Sequence, residues 1–169
     1  MIAFLRPAFI SVAIAISSLA LVIPANAVET IARHAILIDT STGTVLMEKD
    51  ADVATAPASM SKIMMLYLLF ERLAEGNLTM EDTFAVSEKA WRMGGSKMFV
   101  GVNTRVTISD LLRGVIVQSG NDASIVIAEG LGGTESNFAV EMTDRAVEMG
   151  LTNSVFKNAT GGPEEGHVM

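Results

Sequence analysis

The stretch "APASMSKIMMLYLLFE", Ala56–Glu71, places a serine and a lysine at the start of an otherwise apolar helical sequence. Lysine is seldom fully buried without a partner, so its position beside this run needs an explanation. The helix is predicted to begin at Ser59 or Met60 and to end before Gly76. Because Ile63–Phe70 is apolar on every face, we expect this helix to be central in the fold.

Ser59 and Lys62 are three residues apart, so their side chains share one face of the predicted helix. Unpaired N–H groups at a helix N-terminus favour negative charge that develops on Ser59. Removal of water lowers the pKa of the Lys62 amine, and a neutral amine can take a proton from a neighbouring hydroxyl. The pair therefore predicts a nucleophilic serine and its base. A structural interpretation also fits, in which Ser59 caps the helix and Lys62 extends to solvent.

The Ser-x-x-Lys spacing alone is not specific, since serine and lysine are both common. Ser154–Lys157 has the same spacing in this chain. That second copy follows Gly150 in a polar segment with no apolar helix behind it, so we predict that it has no catalytic role.

A second group of polar residues is "QSGND", Gln118–Asp122. Gly120 permits a tight bend between two helices, which lets Ser119 and Asn121 project into one cleft. A hydroxyl can relay a proton, and a side-chain amide can hold a substrate amide by donating and accepting together. The alternative is that Asn121 or Asp122 only caps the following helix.

The other segments predict two strands followed by several helices. Arg33–Asp50 has two short apolar runs joined by a turn at Thr40–Thr44, which is typical of a β-hairpin. Met80–Arg92 is predicted to be a polar connection with a helical turn or two. Further helices are predicted from about Ser109 to Ser119, from Asn121 or Asp122 to Leu131, and from Thr134 or Glu135 to Gly150. This order favours an α+β fold with its sheet at one edge.

The N-terminal residues have the pattern of an export signal. Arg6 precedes the apolar run Ala8–Ile23, and Ala25–Ala27 has the A-x-A form of a cleavage site. We therefore predict a cleaved signal peptide at residues 1–27, followed by one domain at 28–169. An uncleaved membrane anchor is the alternative.

The amino-acid composition argues against several classes of function. The net charge of −7 argues against nucleic acid binding, which needs a basic surface. The chain has no cysteine and therefore no disulfide, and with two histidines a zinc site is not expected. Neither His34 nor His167 lies near a nucleophile signature that would suggest a Ser-His-Asp triad. We predict no cofactor and no metal.

Ser-x-x-Lys at Ser59–Lys62 followed by Ser-Gly-Asn at 119–121 is a motif order found in β-lactamases and penicillin-binding proteins. Over essentially all of residues 28–162 the chain resembles the low-molecular-mass penicillin-binding proteins, the serine-type D-alanyl-D-alanine carboxypeptidases. The stretches that carry the resemblance are "ILIDTSTGTVLMEKDAD", "APASMSKIMM", "GGSKMFV", "LLRGVIVQSGNDAS" and "MGLTNSVFKNATG".

The resemblance implies the N-terminal part of a β-lactamase/transpeptidase-like fold, in which an antiparallel sheet packs on a helical cluster. Ser59 would be acylated by the peptidoglycan pentapeptide, Lys62 would be its base, and Ser119 would pass a proton to the departing D-alanine. Asn121 would hold the substrate amide, and β-lactams would be covalent inhibitors. The loop at Gly95-Ser96 either borders the cleft or is a surface turn.

The family's third motif, Lys-Thr-Gly, is absent, since no lysine of the chain precedes Thr-Gly. The resemblance implies that this motif lies on a strand beyond Met169. We therefore expect a C-terminally truncated protein that lacks full activity. It would be periplasmic, and it could associate with the membrane only through a C-terminal segment absent here.

Other functions share parts of this pattern. A class A-like β-lactamase would need a deacylating glutamate, for which Glu148–Asn153 is the nearest match. A DD-endopeptidase uses the same residues on cross-links. A protein that has lost the third motif could also be a non-catalytic cell-wall binding or scaffold protein.

Overall fold

The computed structural model describes residues 29–169. The predicted signal peptide at residues 1–27 lies outside the described residues. The chain divides into two compact units, the first ending at Val53 and the second comprising Ala54–Met169. Helices and small antiparallel sheets together confirm the predicted α+β class.

The first unit contains the predicted β-hairpin. Strand β1 (Ala35–Asp39) pairs antiparallel with strand β2 (Thr44–Lys49), and the register is irregular near its middle. The turn closes where the N–H of Gly43 donates to the Asp39 carbonyl oxygen at 2.8 Å. Gly43 has a φ of 73°, a conformation that glycine adopts without steric cost. The hairpin prediction is confirmed.

The second unit begins with a short 3₁₀ helix, Ala58–Met60, that leads into helix α1, Ser61–Ala74. The elements that follow are β3 (Thr83–Ala85), α2 (Glu88–Arg92), β4 (Arg105–Thr107), α3 (Ile108–Gln118), α4 (Asn121–Gly132) and α5 (Glu135–Glu148). Strands β3 and β4 pair antiparallel. The predicted helices are confirmed. The two strands are not predicted, because three residues are too few to show an alternating pattern.

Helix α4 is the centre of the second unit and contacts the other four helices and β3. Every residue from Asp122 to Ala128 is buried. Five of these residues have apolar side chains, and they lie on all faces of the helix, which is typical of a helix surrounded by protein.

The prediction that α1 is central in the fold is wrong. Met64, Met65 and Leu69 are buried, but Ile63 is 69% and Phe70 48% exposed. The reason is that α1 packs against α4 and α5 on one side only within the second unit. Among residues 29–169, no helix combines the length and apolar character needed to cross a membrane.

Candidate active site

Ser59 lies in the 3₁₀ turn just before α1, with its residue exposed to solvent. Neither this turn nor α1 is capped by a side chain, and the N-cap of α1 is Met60. By contrast, Thr107 caps α3 and Thr134 caps α5 through side-chain hydrogen bonds. The interpretation of Ser59 as a helix cap is therefore wrong, and its hydroxyl is free to face Lys62.

Lys62 lies in the first turn of α1 and is only 4% exposed. Its Nζ is 2.7 Å from Asn121 Oδ1, 2.8 Å from the Ser119 carbonyl oxygen, 2.9 Å from Ser119 Oγ and 3.3 Å from Ser59 Oγ. The alternative in which Lys62 extends to solvent is wrong. The four residues predicted to form the site are thus brought together around one amine.

Burial lowers the pKa of the Lys62 amine below its ordinary value. No counter-charge opposes this effect, because none of the ion pairs formed among residues 29–169 involves Lys62. A neutral amine has two N–H donors and one lone pair. The Asn121 Oδ1 and Ser119 carbonyl oxygens can only accept, so they take the two donors. The lone pair is then left for a hydroxyl proton.

Ser119 occupies the bend between α3 and α4 with φ 53° and ψ 38°, the left-handed region. A non-glycine residue pays a steric cost there, and such residues persist where the surroundings fix them. The N–H of Ser119 donates to the Val115 carbonyl oxygen at 2.9 Å, and the N–H of Gly120 donates to the Gly114 carbonyl oxygen at 3.0 Å. The bend brings both oxygens of Ser119 to Lys62.

Asn121 connects Lys62 to the loop at 94–96. Its Nδ2 donates to the Gly94 carbonyl oxygen at 2.9 Å, and its backbone N–H donates to the Ser96 carbonyl oxygen at 2.7 Å. Gly95 has a φ of 78°, and a Cβ there would lie 2.7 Å from Asn121 Nδ2. The loop at Gly95-Ser96 therefore contacts a predicted site residue.

Asp122 is a residue of this region that sequence reasoning treats only as a possible cap. Its side chain is fully buried. Oδ1 accepts from the N–H groups of Met98 and Ala123 at 3.0 and 2.9 Å, and Oδ2 accepts from the Val100 N–H at 3.1 Å. Asp122 therefore fixes the segment 98–100 against the start of α4. Its position beside Asn121 is the only sequence signal for this role.

Ser61, the residue before Lys62, forms a buried pair with His167. Ser61 Oγ and His167 Nε2 are 2.8 Å apart, and His167 is 3% exposed. The Phe156 ring packs edge-on against His167 with centroids 5.9 Å apart. His167 Nδ1 is buried without a hydrogen-bond partner among the described residues. No sequence pattern relates Ser61 to His167, since 105 residues separate them.

Acidification is expected to destabilise the fold through His167. Burial lowers the pKa of His167, Lys157 adds to this effect and Glu164 opposes it. The unfolded chain then binds more protons than the folded chain as pH falls below about 6.5, so stability is complete above that pH and decreases below it. Denaturant unfolding between pH 7 and 5.5 should show this slope in the wild type and in His34→Gln. His167→Gln should flatten it, and an unchanged slope in His167→Gln would contradict the assignment.

The other candidates lie apart from this arrangement. Ser154 is in a turn, where its N–H donates to the Leu151 carbonyl oxygen at 3.1 Å, and Lys157 is exposed. Glu148 is exposed and pairs with Arg145 at 2.8 Å. Within residues 29–169, no group of three or more His, Cys, Asp or Glu side chains is arranged to hold a metal ion.

The α+β fold and the residues gathered around Lys62 place the chain in the class of proteins with a penicillin-binding, transpeptidase-like fold. D-alanyl-D-alanine carboxypeptidase DacD from Francisella tularensis superimposes with a TM-score of 0.81 at 37% identity, over 85% of this chain and 35% of that chain. Penicillin binding protein 5 from Haemophilus influenzae gives 0.79 at 33% identity, over 83% of this chain and 42% of that one. The chain belongs to the D-alanyl-D-alanine carboxypeptidase family, Peptidase_S11, whose profile matches residues 22–169.

Curated relatives agree with this membership. D-alanyl-D-alanine carboxypeptidase DacF of Bacillus subtilis is 44% identical over 136 residues, 80% of this chain and 35% of that protein. D-alanyl-D-alanine carboxypeptidase DacC of Escherichia coli is 38% identical over 136 residues, 77% of this chain and 34% of that protein. The chain thus spans about a third of the length of the curated relatives it matches.

Proposed function

We propose that the protein is a serine-type D-alanyl-D-alanine carboxypeptidase that removes the terminal D-alanine from peptidoglycan stem peptides. The observation that carries the proposal is the buried Lys62 amine in contact with two hydroxyls, Ser59 Oγ and Ser119 Oγ. Membership of the family and the names of the relatives support the same activity.

In the proposed acylation, the neutral Lys62 amine takes the proton of the Ser59 hydroxyl. Ser59 Oγ forms a bond to the carbonyl carbon between the two terminal D-alanines. The Ser59 backbone N–H, at the start of the helix, supplies one donor to the oxyanion that develops. Asn121 holds the substrate amide, and its contact with Gly94 keeps that side chain in a fixed orientation.

The leaving group then needs a proton. Ser119 Oγ lies 2.9 Å from Lys62 Nζ, so the proton gained by Lys62 can pass through this hydroxyl to the departing amine. The C–N bond breaks, free D-alanine leaves, and the shortened peptide remains as an ester on Ser59. Attack by water on this ester, with Lys62 again as base, releases the peptide and restores the hydroxyl.

The proposal extends to location and inhibitors. The pattern at residues 1–27 supports export to the periplasm, where the pentapeptide substrate is present. A β-lactam ring presents a strained amide to the same nucleophile, so penicillins should acylate Ser59. We expect them to act as slowly released covalent inhibitors.

Labelled penicillin tests the proposal. The folded chain should gain the mass of one penicillin, and peptide mapping should place it on the peptide that contains Ser59 and not on that of Ser154. A peptide ending in D-Ala-D-Ala should slow the reaction by competition. A folded chain that forms no adduct would contradict the proposal, and rapid release of the adduct would favour a β-lactamase.

A further inference from the structure

The segment 158–169 contacts the chain on both sides of Ser59. At its end, Met169 pairs with Thr55 through two backbone hydrogen bonds, each 3.0 Å long. His167 binds Ser61 across 2.8 Å. Between these two contacts, the backbone at Gly161 packs directly on the peptide that precedes the serine. We name the residues 158–162 the glycine turn.

Gly161 leaves no room for a side chain. A Cβ at this position would lie 1.6 Å from the Ala58 carbonyl oxygen, 2.2 Å from the Ala58 carbonyl carbon and 2.9 Å from the Ser59 nitrogen. These three neighbours are all backbone atoms, which cannot rotate away as a flexible side chain would. The φ of 80° at Gly161 also favours glycine.

The glycine turn is held rigidly by Asn158. Its Oδ1 accepts from the N–H groups of Gly161 and Gly162 at 2.8 and 3.0 Å and from the Thr160 hydroxyl at 3.1 Å. The backbone N–H of Ala159, the residue that follows Asn158, donates to the buried Glu135 carboxylate at 3.0 Å. The turn is therefore anchored to the first residue of α5.

The residue that Gly161 contacts is itself strained. Ala58 has a φ of 48°, in the left-handed region that costs a non-glycine residue free energy. Such a conformation persists where the surrounding structure over-determines it. The contact at the Ala58 carbonyl is one such constraint, and it acts one peptide bond before the proposed nucleophile.

We propose that Gly161 is a positioning residue. Because Gly161 has no side chain, the glycine turn can pack closely enough to hold the Ala58–Ser59 peptide in place. This peptide sets the distance from Ser59 Oγ to Lys62 and the direction of the Ser59 N–H. The inference rests on the proposed function for its effect on catalysis, because the nucleophile and one oxyanion donor would both move if the peptide moved.

The test compares Gly161→Ala with Gly150→Ala. Gly150 also has a positive φ, of 89°, but a Cβ there would meet nothing within 4 Å, so it controls for backbone strain alone. Saturation kinetics with labelled penicillin should show the first-order acylation step reduced at least about tenfold in Gly161→Ala, with the dissociation constant of the initial complex unchanged. Gly150→Ala should stay within about twofold of wild type. Wild-type acylation in a folded Gly161→Ala variant would overturn the inference.

Two further measurements decide the remaining cases. If Gly161→Ala fails to fold, Asn158→Ala loosens the turn without adding atoms and should slow acylation in a folded chain. Normal acylation, or failure of this variant to fold as well, would overturn the inference. If the wild type is not acylated, the proposed function fails, and hydrogen exchange of residues 55–62 decides the positioning role separately. Faster exchange in Gly161→Ala but not in Gly150→Ala supports it, and equal exchange refutes it.

Discussion

Replacing Lys62 by arginine should slow acylation of Ser59 by labelled penicillin by about a thousandfold. The guanidinium stays protonated in proteins, so it cannot take the Ser59 proton, although it keeps the positive charge and the ability to donate. A role in holding the substrate through charge alone would leave the rate nearly unchanged. The measurement is the rate of adduct formation, followed by intact mass, in variants whose folding is checked by circular dichroism.

Lys157→Arg is the matched control, because Lys157 belongs to the other Ser-x-x-Lys stretch and is exposed. Its acylation rate should equal that of the wild type. If Lys62→Arg folds and acylates at the wild-type rate, Lys62 is not the base. The proposed mechanism would then lack the proton acceptor that it assigns to Ser59.

Replacing Asp122 by alanine is expected to lower the free energy of unfolding by roughly 2–4 kcal/mol. The fully buried carboxylate accepts from the N–H groups of Met98 and Val100, and its removal leaves a part-buried and a buried donor without their acceptor. The effect should extend to the site, because the segment 98–100 follows the loop that contacts Asn121. Denaturant unfolding measures the stability change, and penicillin acylation measures the effect on the site.

Asp144→Ala provides the comparison for this variant, since Asp144 is an exposed aspartate on α5. Its stability should differ from that of the wild type by less than about 0.5 kcal/mol. An Asp122→Ala variant that is as stable as Asp144→Ala would mean that other contacts hold the segment 98–100. The role assigned to the buried carboxylate would then be wrong.

Long periodic segments, together with the residues that form turns and helix caps, were sufficient to predict most of the fold. The observed turn and cap residues are those that the sequence predicts. They are Gly43 in the hairpin turn, Gly76 after α1 and Thr134 before α5. The three-residue strands β3 and β4 gave no signal of their own. Their pairing depends on backbone hydrogen bonds between segments 20 residues apart, which no local pattern encodes.

The candidate site was predictable for a different reason. Ser59 and Lys62 are close along one helix, and Ser119 and Asn121 are close along one bend, so each pair is visible as a local motif. The motifs together also carry the family resemblance. That the two pairs meet at the Lys62 amine is a tertiary contact, which the structure supplies and the spacing alone does not.

Residues that support the site from a distance could not be found in this way. His167 meets Ser61, and Gly161 meets Ala58, across more than 100 residues of sequence. A glycine in a polar loop and a histidine near the last residue have no pattern that suggests these contacts. The central position predicted for α1 is wrong for a related reason, since a sequence pattern shows which faces of a helix are apolar and not which faces pack against a neighbour.

The central claim is that the Lys62 amine loses its proton more readily than an ordinary lysine. An NMR titration of the Lys62 side-chain nitrogen in the folded chain, with Lys62→Arg used to assign the signal, measures this directly. The midpoint should lie below the usual lysine pKa of about 10.4 and return to it when the chain is unfolded. A titration midpoint at or above about 10.4, the ordinary pKa of lysine, in the folded chain would contradict the claim.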